Sequence, residues 1–248
     1  MMRAVGLLSL ALIVSAYTGL AWGQEIPAGT VLPVMLNSTL DARRSKPSDK
    51  ISGKIMQDVP LPDGAKIPKG STVWGNVISA DAPTATSPAR LALNFSRVKV
   101  GQREIPIAVH LRALAAPYQV FEAKLPTNAI DDYGTSTSDW NTIQIGGAGV
   151  YRGSGEVVQG DTLVGRTTDY GAVTAKLMAA PQAGCKNDSE REQALWLFSP
   201  WSCGVEGYSE LKILRPGNGV IELQSPGNIH IAGGSGWLLR IDGDRSEQ

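Results

Sequence analysis

The two histidines come first, because imidazole is the side chain that changes charge near neutral pH and most often moves protons or binds zinc. His110 lies between Val109 and Leu111, and His230 between Ile229 and Ile231. On strands of period two, each ring would face away from its apolar neighbours. A surface or hydrogen-bonded histidine is then the simple reading. No Gly-x-Ser-x-Gly elbow and no His-Glu-x-x-His accompanies either one. The cluster Gly146-Gly147-Ala148-Gly149 runs into Val150-Tyr151-Arg152, which breaks the dinucleotide fingerprint, and β-turns with close strand approaches account for it. Asp131, Asp132 and Asp139 could offer oxygens to calcium, but they lack an EF-hand's alternation and read as a solvated loop. No catalytic, cofactor or metal set is assigned, and the chain is read as leaning away from an enzyme.

Residues suited to contact rather than turnover are more prominent. Arg43, Arg44, Lys46 and Lys50 form a basic run, partly offset by Asp41 and Asp49, that suits a solvated loop or a touch on anionic lipid or glycan phosphate. Trp140, Trp196, Trp201 and Trp237 could stack on sugar rings if exposed, with core packing as the default. Many acidic pairs arise by chance, so a glycan hydrolase would need geometry that a sequence does not supply. Overall, 23 Lys+Arg balance 23 Asp+Glu, which gives nucleic acid little electrostatic purchase.

The compartment follows from the N-terminus and the cysteines. Arg3, an apolar run from Val5 to Ala16, and Ala21-x-Gly23 form the n-region, h-region and small-x-small site of a secretory signal peptide, residues 1–23. The run falls short of the ~20 apolar residues of a membrane span. The expectation is a periplasmic or secreted protein cleaved after Gly23, with no transmembrane helix afterwards. Cys185 and Cys203 stand 18 residues apart. In an oxidising compartment the default is one disulfide, contributing about 3 kcal/mol through the unfolded state; two buried thiols are the alternative.

The elements that must hold these residues read as mostly β. Ile51, Ile55 and Val59 share a face; Leu91, Leu93 and Phe95 alternate with Ala92, Asn94 and Ser96; Ile105, Ile107, Val109 and Leu111 alternate with Pro106, Ala108 and His110. Gly101-Gln102 suggests a hairpin, and a phase slip between Phe95 and Val98 suggests a bulge. Ala80–Ala89 is loop-like. Ser189-x-x-Glu192 is a capping-box pattern, yet the run Gln193–Phe198 is apolar enough for a buried strand. Val220–Leu223, Asn228–Ile231 and Gly236–Ile241 read as closing strands. Ile26-Pro27-Ala28-Gly29-Thr30 recurs 41 residues later as Ile67-Pro68-Lys69-Gly70-Ser71, each ahead of a β-prone run. With Pro27 and Pro68 second and Gly29 and Gly70 fourth, type I turns are expected to launch both strands.

That order of turn, strand, polar loop, alternating strand, second turn and long strands through Val100 resembles the C-terminal β-barrel domain of TrbI-type proteins of conjugation and type IV secretion, over about residues 25–115. The chain lacks the cytoplasmic tail, transmembrane helix and proline-rich linker of a complete secretion component. The resemblance therefore implies a shared barrel fold and an envelope setting rather than a place in a channel. The expected organisation is a barrel domain at 24–120, a linker at 121–139, and a Gly-rich β region at 140–248 that either forms a second domain or completes the barrel. The functional expectation is a noncatalytic binding or assembly module of the bacterial cell envelope; the alternative is a polysaccharide-binding module or a cell-wall glycan hydrolase. A transmembrane β-barrel fits poorly, since aromatic girdles are lacking and the C-terminus is polar. Ligand and oligomeric state are not legible.

Overall fold

A computed structural model of the chain describes residues 25–124, 126–127, 140–151, 155–168, 173–178, 192–217 and 219–243. The expected signal peptide (residues 1–23), Asp131, Asp132, Asp139, Cys185 and Ser189 lie outside them. The molecule is mostly β with one helix. The first part of the chain supplies β1 (Val31–Leu36), β2 (Leu40–Asp41), β3 (Lys50–Ile55), β4 (Val59–Pro60), β5 (Lys66–Ile67), β6 (Thr72–Asp81), β7 (Ala89–Val100), β8 (Arg103–Pro106), β9 (Val109–Ala115) and helix α1 (Pro117–Lys124). The middle supplies β10 (Pro126–Thr127), β11 (Trp140–Gln144), β12 (Gly147–Tyr151), β13 (Glu156–Gln159), β14 (Thr162–Thr167), β15 (Val173–Lys176) and β16 (Glu192–Ala194). The chain then returns with β17 (Gly204–Glu206), β18 (Lys212–Gly217), β19 (Val220–Ser225), β20 (His230–Ile231) and β21 (Gly236–Ile241).

Ten strands form a nearly closed, barrel-like sheet in the order β17-β9-β21-β1-β3-β6-β7-β19-β18, with β8 paired to β7. The two ends of that path, β17 and β18, approach each other without a ladder between them. Strands β10 to β16 form a separate seven-stranded antiparallel sheet inserted between β9 and β17. The Gly-rich region 140–248 therefore divides. Its first part builds the inserted sheet, and its last strands pair with the N-terminal strands of the barrel.

Alternation explains the barrel interior. Ile51, Ile55, Val73, Val77, Leu91, Leu93 and Phe95 point inward and are buried, while Lys50, Lys54 and Asn76 face solvent. The phase slip has a cause: Trp74 pairs with Arg97 and Gly75 with Phe95, so Ser96 is an extra residue, a β-bulge. Gly101-Gln102 turns the β7–β8 hairpin, Val100 opposite Arg103. The run Ile105–Leu111 is broken, ending β8 at Pro106 and restarting at Val109. Strands β1, β9 and β21 show nearly unbroken burial instead of alternation. Their inner face joins the barrel core. Their outer face, with Val31, Ala113, Ala115 and Leu238, packs in a second core against Val120 and Ala123 of α1 and Ile145, Ala175, Leu195 and Phe198. Strands covered on both faces read as continuous apolar runs.

Helix α1 was not anticipated, although Pro117 at its first position is a recognised start signal. Glu192 opens β16 rather than capping a helix, and of the run Gln193–Phe198 only Gln193 and Ala194 are in the strand; Leu195 to Phe198 leave it in a turn.

The two Pro-x-Gly turns differ from the expected geometry. The bond closes from Thr30 N–H to Pro27 O (3.1 Å) and from Ser71 N–H to Pro68 O (3.1 Å), which makes proline first and glycine third. Gly29 and Gly70 have φ of 82° and 84°, as the third residue of a type II turn requires. The environments also match. Gly29 N–H donates to Ile241 O while Ile241 N–H donates to Thr30 O; Gly70 N–H donates to Ile55 O while Ile55 N–H donates to Ser71 O. The repeat at offset 41 is thus a repeated way of starting a strand beside its neighbour.

Two glycine substitutions separate conformational strain from close approach. A Cβ on Gly70 meets nothing within 4 Å, so Gly70→Ala carries only the positive φ, about 1–2 kcal/mol. A Cβ on Gly75 would fall 1.7 Å from Asn94 O, where backbone must move. Gly75→Ala is expected to cost more, about 3 kcal/mol or above. Urea unfolding of both variants checks the order.

Candidate functional site

A cleft lies at the seam between barrel and inserted sheet. The first Pro-x-Gly turn, Pro27 to Val31, forms one wall, and the β4 segment from Val59 to Pro62 forms another. The third wall is the edge strand β16, with Glu192, Gln193 and Ala194, joined by Thr174 of β15. The cleft they bound has a volume of about 370 Å³. A neighbouring hollow of about 180 Å³ shares Pro27, Leu61 and Pro62 and continues past Glu25, Ile67, Val100 and Ile105. The walls are prolines, aliphatic side chains and strand backbone, with Glu192 and the buried amide of Gln193 on one side. Such a lining suits an extended segment laid against a strand edge.

The seam is held by Arg112. This β9 side chain is 3% exposed, a rare state for arginine. It points out of the barrel into the inserted region. Nε–H donates to Ser202 O (2.9 Å), and Nη2 donates to Met178 O (2.8 Å) and, more weakly, to Pro200 O (3.4 Å). Met178 N–H in turn donates to Pro200 O (3.1 Å), and the Ser202 hydroxyl donates to Ile145 O. One guanidinium thereby gathers the ends of segments that are distant in sequence. Arg112 lies in an apolar alternating strand as the polar member, which sequence reading assigns to solvent.

Both histidines meet a carboxylate. His110 Nδ1 lies 2.6 Å from Asp242 Oδ1, and His230 Nδ1 lies 3.0 Å from Asp41 Oδ2. Asp41 also accepts from the Arg43 amide (2.8 Å) and the Asn228 side-chain amide (3.2 Å). The Ser45 hydroxyl accepts from the Asp41 amide (3.1 Å). The pairs join sequence-distant segments, β9 to the chain beyond β21 and the β2 turn to β20. They sit at the surface, with His230 more than half exposed. Burial alone would raise the Asp41 carboxyl; the bonds from His230, Arg43 and Asn228 outweigh it and hold the group below its ordinary value. Asp58 repeats the balance: burial raises it, and Lys66 Nζ (2.6 Å) with the Lys69 amide (2.8 Å) lowers it further.

The residues expected to contact a ligand are dispersed. Trp237 is fully buried in the barrel core, edge-on to Phe95 at 5.8 Å, and is not at any surface. Trp196 is partly buried between the second core and Val157, Val164 and Val173; Trp201 is partly buried beside it in sequence. The Trp140 side chain lies outside the described residues. Arg43 and Arg44 are exposed in the turn after β2. Cys203 is buried at the end of the segment that Arg112 gathers; its expected partner, Cys185, lies outside the described residues. Among the described residues, no cluster of three or more His, Cys, Asp or Glu side chains is suited to a metal, and no helix is long and apolar enough to cross a membrane. No protein-family model matches the chain, and no curated protein matches it either.

Two measurements follow from this geometry. Arg112→Met leaves the carbonyls of Ser202, Met178 and Pro200 without this donor and should cost about 3 kcal/mol in urea unfolding, with Arg112→Lys recovering part. For Asp41 and Asp58, a folded value below the unfolded one means that the native state binds fewer protons. Their contribution is complete above the unfolded carboxylate value of about 3.9 and is lost as pH falls through the lower folded value. Thermal melts should therefore show a steep acid limb below about pH 4, shallower in Asp41→Asn.

Proposed function

We propose that the protein is an exported, noncatalytic binding or assembly module of the bacterial cell envelope, built on a barrel akin to the TrbI-type C-terminal domain. The observation that carries this reading is the seam cleft. It sets an edge strand beside proline and aliphatic walls, the arrangement by which sheets recruit an extended partner segment. The repeated Ile-Pro-x-Gly turns that carry the resemblance both launch barrel strands through one hydrogen-bond pattern, which supports a common construction. Each histidine is spent on tying two chain segments together. In this reading residues 1–23 are removed on export, and Cys185 and Cys203 form a disulfide that staples the return from the inserted sheet.

The test has two readouts. Intact mass of the exported protein should equal residues 24–248 less two hydrogens, with a mobility shift on reduction. A photo-crosslinking residue at Leu61 or Glu192 should join an envelope protein in intact cells, while the same residue at Lys212 should not. Retention in the cytoplasm, or equal crosslinking at all three positions, would overturn the proposal.

A further inference from the structure

The outward face of β3, β6 and β7 is a second surface, away from the seam, and ladder register fixes its layout. Lys50 pairs with Asn76, which pairs with Asn94; Ser52 pairs with Trp74, which pairs with Arg97; Lys54 pairs with Thr72, which pairs with Lys99. Glu104 and Pro106 of β8 extend the last two rows. Alternation puts all of these on one face. Four cations therefore stand on three rows, and Glu104 is the one carboxylate among them, 3.5 Å from Arg97. A chain with no net charge has concentrated positive charge here. The loop carrying Arg43, Arg44 and Lys46, partly offset by Asp41 and Asp49, continues the face: Ser48 N–H donates to Val77 O (2.8 Å) and Val77 N–H to Asp49 O (2.9 Å), which seats it against β6.

Trp74 gives the face an ordered centre. The Arg97 guanidinium lies over its ring at 5.3 Å, a cation–π contact that holds a flexible cation in place with its donors at the surface. Lys50 and Lys54 are about 13 Å apart along β3, and Lys54 and Lys99 about 10 Å apart across β6. Charges so spread do not converge on one phosphate or carboxylate. They suit an extended polymer with repeated anions. Between them stand hydroxyls and amides. Ser52 and Thr72 oxygens already accept from Asn37 Nδ2 (3.3 Å) and Lys54 Nζ (2.7 Å), and Asn94 Oδ1 from the Asn76 backbone amide (3.2 Å). Their hydroxyl and amide hydrogens, with the Asn76 side chain, are what can bond a polyol. Apolar protrusion is confined to Ile78 at one end, too little to enter a bilayer. Arg97 already covers the indole, which disfavours base stacking.

We infer that this face binds an anionic polysaccharide, one bearing uronate or phosphate groups along its length. The inference rests on the chain being exported, but not on the seam cleft binding a partner.

Polygalacturonate serves as the probe, with neutral dextran, duplex DNA and phosphatidylglycerol vesicles as comparators, each titrated against the purified protein at two salt concentrations. Binding to polygalacturonate that weakens with salt, exceeds binding to the three comparators, and falls roughly tenfold or more in Lys50→Gln/Lys54→Gln/Lys99→Gln is the expected result. Trp74→Leu should weaken it by a smaller factor while leaving the melting curve cooperative, and Lys212→Gln should leave it unchanged. Failure to bind polygalacturonate, equal binding by the triple variant, or tighter binding to dextran, DNA or vesicles would overturn the inference. Crosslinking at Leu61 and Glu192 reads the seam independently, so either idea can fail alone.

Discussion

The architecture depends on one strand, the last. β21 lies between β1 and β9 and pairs with both along residues 236–241, so the returning end of the chain joins two strands of its first part into one sheet. Its two faces serve different cores. Trp237, Leu239 and Ile241 fill the barrel, where Trp237 meets Phe95 edge to face; Leu238 points outward beneath the inserted sheet. Gly236 matters for the same reason. A Cβ there would sit 2.8 Å from the Val120 side chain, and its absence lets α1 rest on the strand. Burial on both faces is what a wall shared by two cores requires, and it commits the barrel and the insertion to fold together.

Around that wall the polar groups act as fasteners. Arg112 leaves the barrel through β9 and takes three carbonyls from the far ends of the insertion, trading its hydration for charge-assisted hydrogen bonds. His110–Asp242 and His230–Asp41 span 132 and 189 residues and fix the returning chain to its beginning. In a two-core β protein most ladders pair distant segments, and long-range closure is entropically costly until several are in place. Fasteners of this kind stabilise the final register rather than any local element.

The two proposed surfaces are by-products of that assembly. The seam cleft exists because an edge strand of the insertion stops beside the first turn and β4 rather than completing a ladder with the barrel. The basic face exists because β3, β6 and β7 are in one register, which turns three unremarkable sequence positions for lysine into a patch ordered around Trp74. Neither surface maps to a contiguous stretch of chain.

Local periodicity by itself settled much of this protein. The period-two runs at 51–55 and 91–95, the bulge at Ser96 and the Gly101-Gln102 hairpin were legible because a half-exposed strand writes its burial directly into its sequence, although the run expected through Val59 breaks after Ile55 and Val59 falls in a strand of its own. The repeated Pro-x-Gly turn was legible as punctuation, although its type was not, since that depends on which residue takes the positive φ. Tertiary structure alone decided that the C-terminal strands return to the barrel while strands β10 to β16 stand in a sheet of their own. It alone buried Trp237 and Arg112, one as core and one as a fastener, and brought Trp74 under Arg97. The physical reason is common to all of these: residue type and spacing report what one strand's two faces meet, but which strand lies alongside, and what covers the outside, is set by pairings between segments a hundred or more residues apart.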